Sequence, residues 1–405
     1  MAAATQNLRI VPLVVPWVTL LVIGTVMVGS AAIALGGSYL NKHLVFLGVA
    51  GVTSAFVYAV PPAWWQRLYL LGWVASMIVA LLVLIPGLGH EVNGAQRWIR
   101  FGGFSLQAAE VAKFGLCVYL AGYLSRHHEK LHSEPKVLLV PMCMIGLVCA
   151  LLIAEPDLGS AVVIVAASVG LLFLAGARLR YFLLILLLGA AALALLVVLA
   201  PYRMQRLIAF LDPWSVAFGS GYQLTQALIA FGRGEVFGLG LGEGVQKLYY
   251  LPEAHNDFIF AVVAEELGGA GAIFLALLLA YLVVQLFLLA RRHVEQRAHF
   301  AAMAAYFTGL VLGIQFLVNL GVNTGVLPTK GLTLPFVSYG GNSLIICCAL
   351  LALVLRTSHE AIAQGTGKGM AKSTAKGTAK GTAKGTAKRA AKGTDKGTGA
   401  GGKRG

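Results

Sequence analysis

Ten apolar runs, most near the length of about 20 residues that a helix needs to cross a hydrocarbon core, constrain this chain more than any other feature. They fall at 13–35, 44–61, 67–86, 106–124, 136–153, 158–176, 181–200, 258–290, 300–323 and 341–356. In lipid every backbone N–H and C=O must find its partner inside the protein, so such runs are expected to be helices. The predicted fold is all-α: a polytopic membrane protein of about ten transmembrane helices. With 58% hydrophobic and 12% charged residues, the composition excludes a soluble domain. The first run, near residues 11–35, is too long for a cleavable signal core and reads as a signal anchor.

Most connections are short. The exception is 201–257, a large insert between the seventh and eighth helices, expected to be extracytoplasmic. The division is therefore a cytoplasmic N-terminus (1–12), a transmembrane domain (13–356) and a Lys-rich tail (357–405) that repeats Ala-Lys-Gly-Thr. Its glycines and threonines disfavour a helix, so it is expected to be disordered. From Lys368 onward nine lysines, two arginines and one aspartate carry +10 of the net charge of +15. The high basicity is thus a property of the tail and does not point to nucleic acid.

An even number of helices places both termini on one side. Arg67, Arg126, Lys130, Arg178, Arg180, Arg291, Arg292 and the tail lie there, against Lys42, Arg97, Arg100 and Lys330 opposite. The positive-inside rule makes the termini cytoplasmic. Most carboxylates then face outward, at or near the outer ends of the helices.

Four segments concentrate chemistry. The fourth helix opens with Gln107, Glu110 and Lys113, and an i,i+3 acid–base pair one turn inside a span is costly enough to mark a cavity or a helix lock. Glu155-Pro156-Asp157-Leu158-Gly159 places two carboxylates between two apolar runs, where Asp157 is either a functional acid or an N-cap. Lys247 to Phe258 packs Lys247, Glu253, His255, Asn256 and Asp257 just before the eighth helix, with capping by Asn256 or Asp257 as the alternative. Partial burial there would raise the Asp257 pKa and improve it as a base. The glycines at 232, 234, 238, 240, 242 and 244 lack the strand and the Lys-Ser/Thr ending of a nucleotide loop and read as a flexible connection.

In the ninth helix, Gln315, Asn319 and Asn323 form one polar stripe at i, i+4 and i+8, expected to hydrogen-bond between helices. The following segment, 323–341, carries Lys330, Pro328, Pro335 and Ser338 and reads as an outer loop. The five cysteines lie in apolar runs without His or carboxylates at metal spacing and read as packing residues; no metal site is expected from them.

Together these segments resemble the SEDS family (shape, elongation, division and sporulation), the membrane peptidoglycan glycosyltransferases. The resemblance covers about residues 90 to 355. It rests on Arg97-Trp98-Ile99, Glu155 to Gly159, Leu251 to Phe258 and Pro335 to Gly341, in order and in register. Leu327-Pro328-Thr329-Lys330-Gly331 is similar to the division-type branch. The chain departs from family wording at Ala108, Ala109, Asn256, Glu243 and Gly244, and none of these removes an acid or base.

The resemblance implies an inverting glycosyltransferase that polymerises lipid II into glycan strands at the division septum. It implies Asp257 as the catalytic base. Glu110, Lys113, Asp157, Glu253, His255 and Ser338 would bind substrate, and Arg97, Lys247 and Lys330 its diphosphate. It also implies a divalent cation, magnesium or manganese, although no dedicated ligand set is visible. The partners implied are a cognate class B penicillin-binding protein (the septal transpeptidase), other divisome membrane proteins, lipid II and the bilayer. The location implied is the bacterial inner membrane, with a periplasmic active site. Two other classes compete: a transporter that flips lipid II, and a non-catalytic scaffold for the transpeptidase. The one-sided acids and the lack of an inverted repeat favour the enzyme.

Overall fold

The computed structural model describes residues 2–363 except 34–35, 37, 93–94, 102–103, 132–133 and 135. In chain order its helices are α1 (Ala2–Ala31), α2 (Ser38–Ala59), α3 (Pro62–Arg67), α4 (Tyr69–Leu84), α5 (Ala108–His127), α6 (Lys136–Ala154), α7 (Leu158–Leu174), α8 (Leu179–Val198), α9 (Pro201–Leu211), α10 (Tyr222–Gly234), α11 (Ile259–Glu295), α12 (His299–Asn323) and α13 (Gly341–Ala363). The chain is a polytopic helical membrane protein: among the described residues seven helices are long and apolar enough to cross a membrane. Nine of the ten expected spans overlap one helix each, and 67–86 takes in the last residue of α3 as well as α4.

Burial sorts the bundle into centre and rim. The sides of α5, α12 and α13 are largely closed off by neighbours, whereas α8 buries none of its described side chains. One core cluster gathers α1 and α11; the other gathers α5, α7 and α12; and α13 contributes to both. Leu183, Leu186 and Leu187 on α8 are exposed, as expected of a face that meets acyl chains rather than water.

The helices depart from the expected boundaries at both ends. The backbone of α1 is already helical at Ala2, so residues 2–12 belong to that helix. At the other end α13 continues to Ala363, with Thr357 and Ser358 buried, so 357–363 is not part of a disordered tail. The remaining tail, 364–405, lies outside the described residues.

A small antiparallel sheet accompanies the helices. It comprises β1 (Gly89–Val92), β2 (Ala95–Phe101) and β3 (Phe104–Gln107), with Trp98 opposite both His90 and Gln107. The pairing puts Arg97-Trp98-Ile99 on the central strand and delivers the chain directly into α5.

The glycine-rich segment is a fitted brace, not a flexible connection. Helix α11 breaks at Gly268, whose φ is 71°. The loop before it fills the break: Leu239 and Gly240 N–H donate to the Glu265 and Glu266 carbonyls, each at 3.0 Å. In return Gly269 and Ala270 N–H donate to the Glu235 and Val236 carbonyls, at 2.8 and 3.0 Å. Irregular backbone in a buried span is tolerated when protein supplies its partners, and here it does. The approach is close enough to require glycine: a Cβ on Gly238 would stand 2.2 Å from the Glu266 carbonyl oxygen.

Below the brace two carboxylates are buried and fully engaged. Glu265 accepts from the Val245 and Gln246 amides and pairs with Arg233 at 3.2 Å. Glu266 takes Ser30 Oγ at 2.7 Å, Gly242 N–H at 3.0 Å and Lys247 Nζ at 2.5 Å. This network ties the insert to α1 and α11.

Candidate active site

A cavity of about 600 Å³ opens where one end of the helix bundle meets the sheet and the insert. Its walls come from α2 (Tyr39, Phe46), β2 (Arg97, Trp98), α5 (Glu110), α9 (Arg206), α10 (Gln223), the segment before α11 (Glu253 to Phe258), α12 (Gln315) and the loop before α13 (Thr329 to Thr333, Tyr339 and beyond). Segments more than two hundred residues apart in sequence therefore share one space.

Asp257 is positioned through its main chain. Asn319 and Asn323, on the stripe of α12, both donate their Nδ2 to the Asp257 carbonyl at 2.9 Å. Asn319 Nδ2 also reaches the Leu332 carbonyl at 2.7 Å, linking Asp257 to the opposite loop. The N-cap of α11 is Phe258, without a side-chain cap, so the Asp257 carboxylate is not consumed by capping. Burial pushes this carboxyl up to about 7; the Glu253 carboxylate adds to the rise and Arg206 opposes it. A carboxylate poised near neutrality is suited to general base work. Beside it, a Cβ on Gly331 would lie 2.9 Å from Asp257 Oδ2, so glycine lets the Lys330 loop approach the acid.

The other expected residues divide into those that reach the cavity and those that do not. Arg97, Glu110, Glu253, His255 and Lys330 line it together with Asp257. Glu110 and Lys113 form the expected pair at 2.6 Å, leaving Glu110 Oε2 without a protein partner; Lys113 is buried behind Glu110 and does not line the wall. Burial lowers the His255 pKa against an opposing pull from Glu253.

Asp157 is a cap and a clamp. Its Oδ1 accepts from Ser160 N–H at 3.2 Å at the start of α7, its Oδ2 accepts from Gln107 Nε2 at 3.2 Å, and Arg97 lies 3.9 Å away. Arg97 is further held by the carbonyls of Glu155 and Pro156. Asp157 thus acts on the cavity through Arg97 rather than by lining it. Ser338 is also off the wall: its buried hydroxyl accepts from Leu334 N–H at 2.8 Å and braces the loop.

Lys247 is a correction. Its ammonium is consumed by Glu266, Ser30 and the Gly242 carbonyl in the buried network, so it is not available to a diphosphate in this cavity. The cation that the insert does contribute is Arg206, which the sequence reading passed over. The local signal was an arginine on a short helix after Pro201 whose apolar residues Ile208 and Leu211 are exposed. Tyr39 and Tyr339 were also missed.

Among the described residues, no three His, Cys, Asp or Glu side chains come together as ligands for a metal. The donor set among the described residues does not fit a dedicated divalent-cation site. Three lining residues do present buried oxygens without protein partners: Glu110 Oε2, Gln315 Oε1 and Asn256 Oδ1. Buried polar atoms are almost always satisfied, so these point to a polar ligand.

Residues 11–362 match a family described as cell cycle protein, comprising FtsW, RodA and SpoVE. The protein named "Probable peptidoglycan glycosyltransferase FtsW" in Coxiella burnetii is 47% identical over 356 residues, covering 86% of this chain and 95% of that protein. The protein of the same name in Pseudomonas fluorescens is 45% identical, covering 86% and 88%. Among solved structures, a chain from a study of a peptidoglycan synthase complex that coordinates polymerization and crosslinking superposes with a TM-score of 0.71 at 31% identity, covering 86% of this chain and 97% of that one. The Thermus thermophilus rod shape determining protein RodA superposes with a TM-score of 0.66 at 30% identity, covering 86% and 96%.

Proposed function

The chain belongs to the FtsW, RodA and SpoVE family of cell cycle proteins, and on that premise we propose how its cavity works as a peptidoglycan glycosyltransferase. It polymerises lipid II. The acceptor 4-hydroxyl attacks the anomeric carbon of a donor sugar linked to a lipid diphosphate. The new O–C1 bond forms as the C1–O bond to diphosphate breaks, with inversion. Asp257 takes the hydroxyl proton, and the diphosphate leaves with the electron pair. Arg97, Arg206 and Lys330, all on the cavity wall, face the charge that develops on the leaving group.

The observation that carries this reading is the Asp257 carboxyl: half-buried, held by two asparagines, raised to about 7 and placed in a cavity with three cationic side chains. The convergence of charge at the outer ends of α11 and α12, not at mid-membrane, supports catalysis over transport.

The protein is membrane-embedded and acts in division. The finer placement proposed is the inner membrane at the septum, with ten crossings, both termini cytoplasmic and the cavity periplasmic. The likeness to a chain of a synthase complex supports a partner that crosslinks, a cognate class B penicillin-binding protein.

The test is lipid II polymerisation by the purified complex, wild type against Asp257→Ala, with a moenomycin control against contaminating polymerases. Product from wild type alone is expected. Product from the folded alanine variant removes Asp257 as the base; flipping of lipid II by a variant that makes no glycan would favour the transporter.

A further inference from the structure

Four rings on the cavity wall have no role in the chemistry above. Tyr39 and Phe46 come from α2, His255 precedes α11, and Tyr339 precedes α13; all four line the cavity. The Tyr39 and His255 ring centres are 4.9 Å apart at 67°, those of Tyr39 and Tyr339 5.4 Å at 64°, and those of His255 and Tyr339 5.5 Å at 56°. Phe46 joins at 6.4 Å from Tyr339. The three closest rings are tilted against one another rather than stacked flat, and each is half-buried.

We propose that Tyr39, His255 and Tyr339 form a saccharide-binding wall, against which a pyranose ring of the lipid-diphosphate substrate packs. The inference rests on the polymerase reading and assigns a part of the substrate to a part of the cavity.

A pyranose has a polar rim and a face of C–H groups. Those C–H groups carry partial positive charge, and an aromatic face carries the negative lobe of its quadrupole. A sugar therefore packs on tyrosine by its C–H face while its rim hydroxyls reach polar groups. This wall offers both, since the phenol hydroxyls and the imidazole nitrogens border the rings. The cationic groups have a separate origin, on β2, α9 and the Lys330 loop. One cavity thus offers aromatic and cationic chemistry from different elements, which matches a ligand that is part sugar and part diphosphate.

The wall is also fixed relative to the base. Tyr339 N–H donates to the His255 carbonyl at 2.9 Å, and His255 lies two residues before Asp257. Asn342 Nδ2 donates to the Ser105 carbonyl at 2.7 Å, which ties the first turn of α13 to the sheet. A sugar seated on these rings would be registered against the base through the main chain. The competing account is that the rings only pack α2 against the loop before α13. That account predicts equal effects on every ligand of the cavity.

The experiment measures binding of two probes to the purified full-length protein in nanodiscs. One is a polyprenyl diphosphate carrying a disaccharide; the other is the same polyprenyl diphosphate without sugar. Tyr39→Ala and Tyr339→Ala are expected to weaken the sugar-bearing probe by about tenfold, the scale of one aromatic contact, and the sugarless probe by less than about twofold. Tyr39→Phe, which keeps the ring, is expected to retain most of the affinity. Equal weakening of both probes, or of neither, overturns the proposal. Thermal melting of each variant identifies any that fail to fold, and Tyr39→Leu and Tyr339→Leu, which keep bulk without an aromatic face, read the wall with the same expected split between the probes if both alanine variants do. If wild type binds the sugarless probe but gains nothing from the disaccharide, the wall is wrong while the diphosphate site stands. If wild type binds neither, the polymerase reading itself fails.

Discussion

The Asn323 carboxamide holds Asp257 and the first turn of α11 together: its Nδ2 donates to the Asp257 carbonyl at 2.9 Å, and its Oδ1 accepts from Ala261 N–H at 3.1 Å. Asp257 is thus set by a side chain of another helix. Asn323→Ala removes two buried hydrogen bonds, at about 0.5–1.5 kcal/mol each, while the Ala261 amide keeps the Phe258 carbonyl and the Asp257 carbonyl keeps Asn319. Because the contact is to the main chain of the base, kcat for lipid II polymerisation should fall while KM stays nearly unchanged. Steady-state kinetics and a thermal melt on the same preparation check both parts, and an unchanged kcat would detach Asn323 from the chemistry.

Gly331 brings the Lys330 loop against the Asp257 carboxyl. A methyl group there meets Oδ2 at 2.9 Å, tighter than ordinary contact. Gly331→Ala should reduce polymerisation well before it reduces the melting temperature, and Gly331→Val should do more of the same. Equal activity in the alanine variant would show that the loop yields freely.

The Asp257 carboxyl, raised from 3.8 to about 7, gives two pH signatures of opposite sense. As a base it must be ionised, so the rate should rise with pH through about 7 and then level off. Stability should move the other way: between these two values the folded state holds a proton that the unfolded state has released, so stability falls as pH rises through the window. Asp257→Asn should flatten that fall, as followed by thermal melts across about pH 5 to 9 in detergent.

Glu155 repeats the stability effect in a different place. It is fully buried, both its oxygens lack partners, and burial lifts it from 4.5 to about 8, with Asp157 adding and Arg97 opposing. Its stability contribution is lost as pH rises through that window. Glu155→Gln keeps the shape without the charge, so it should melt higher than wild type above about pH 8 and nearly the same below about pH 5. A variant less stable at every pH would show that the ionised form is needed.

Lys247 and Glu266 test the buried network. Removing one partner of a buried pair costs about 3–5 kcal/mol, whereas replacing both with uncharged groups of similar size is often neutral. Lys247→Ala should therefore melt well below wild type, and Lys247→Met with Glu266→Gln should recover much of the loss. With Lys247 outside the cavity, the double variant should bind a sugarless polyprenyl diphosphate as wild type does. Loss of that binding would return Lys247 to the diphosphate.

Local spacing decided a good deal of this protein in advance. Continuous apolar runs placed the helices, because a lipid-embedded backbone has few other ways to satisfy itself. An i,i+3 separation brought Glu110 to Lys113, and i, i+4 and i+8 spacing put Gln315, Asn319 and Asn323 on one face, since the helix repeat carries those neighbours. The motif before α11 singled out Asp257. What spacing could not decide was which distant charges converge. Arg206, 51 residues before Asp257, lines the cavity, while Lys247, only ten before it, does not. Tyr39 and Tyr339 meet across three hundred residues, and the glycine segment closes a break in α11 that its composition did not reveal. Hydropathy is silent on such matters because residues facing lipid and residues facing other helices are equally apolar. The partners of each face are chosen by close packing and by the need to satisfy buried polar groups, and both exist only once the helices are assembled.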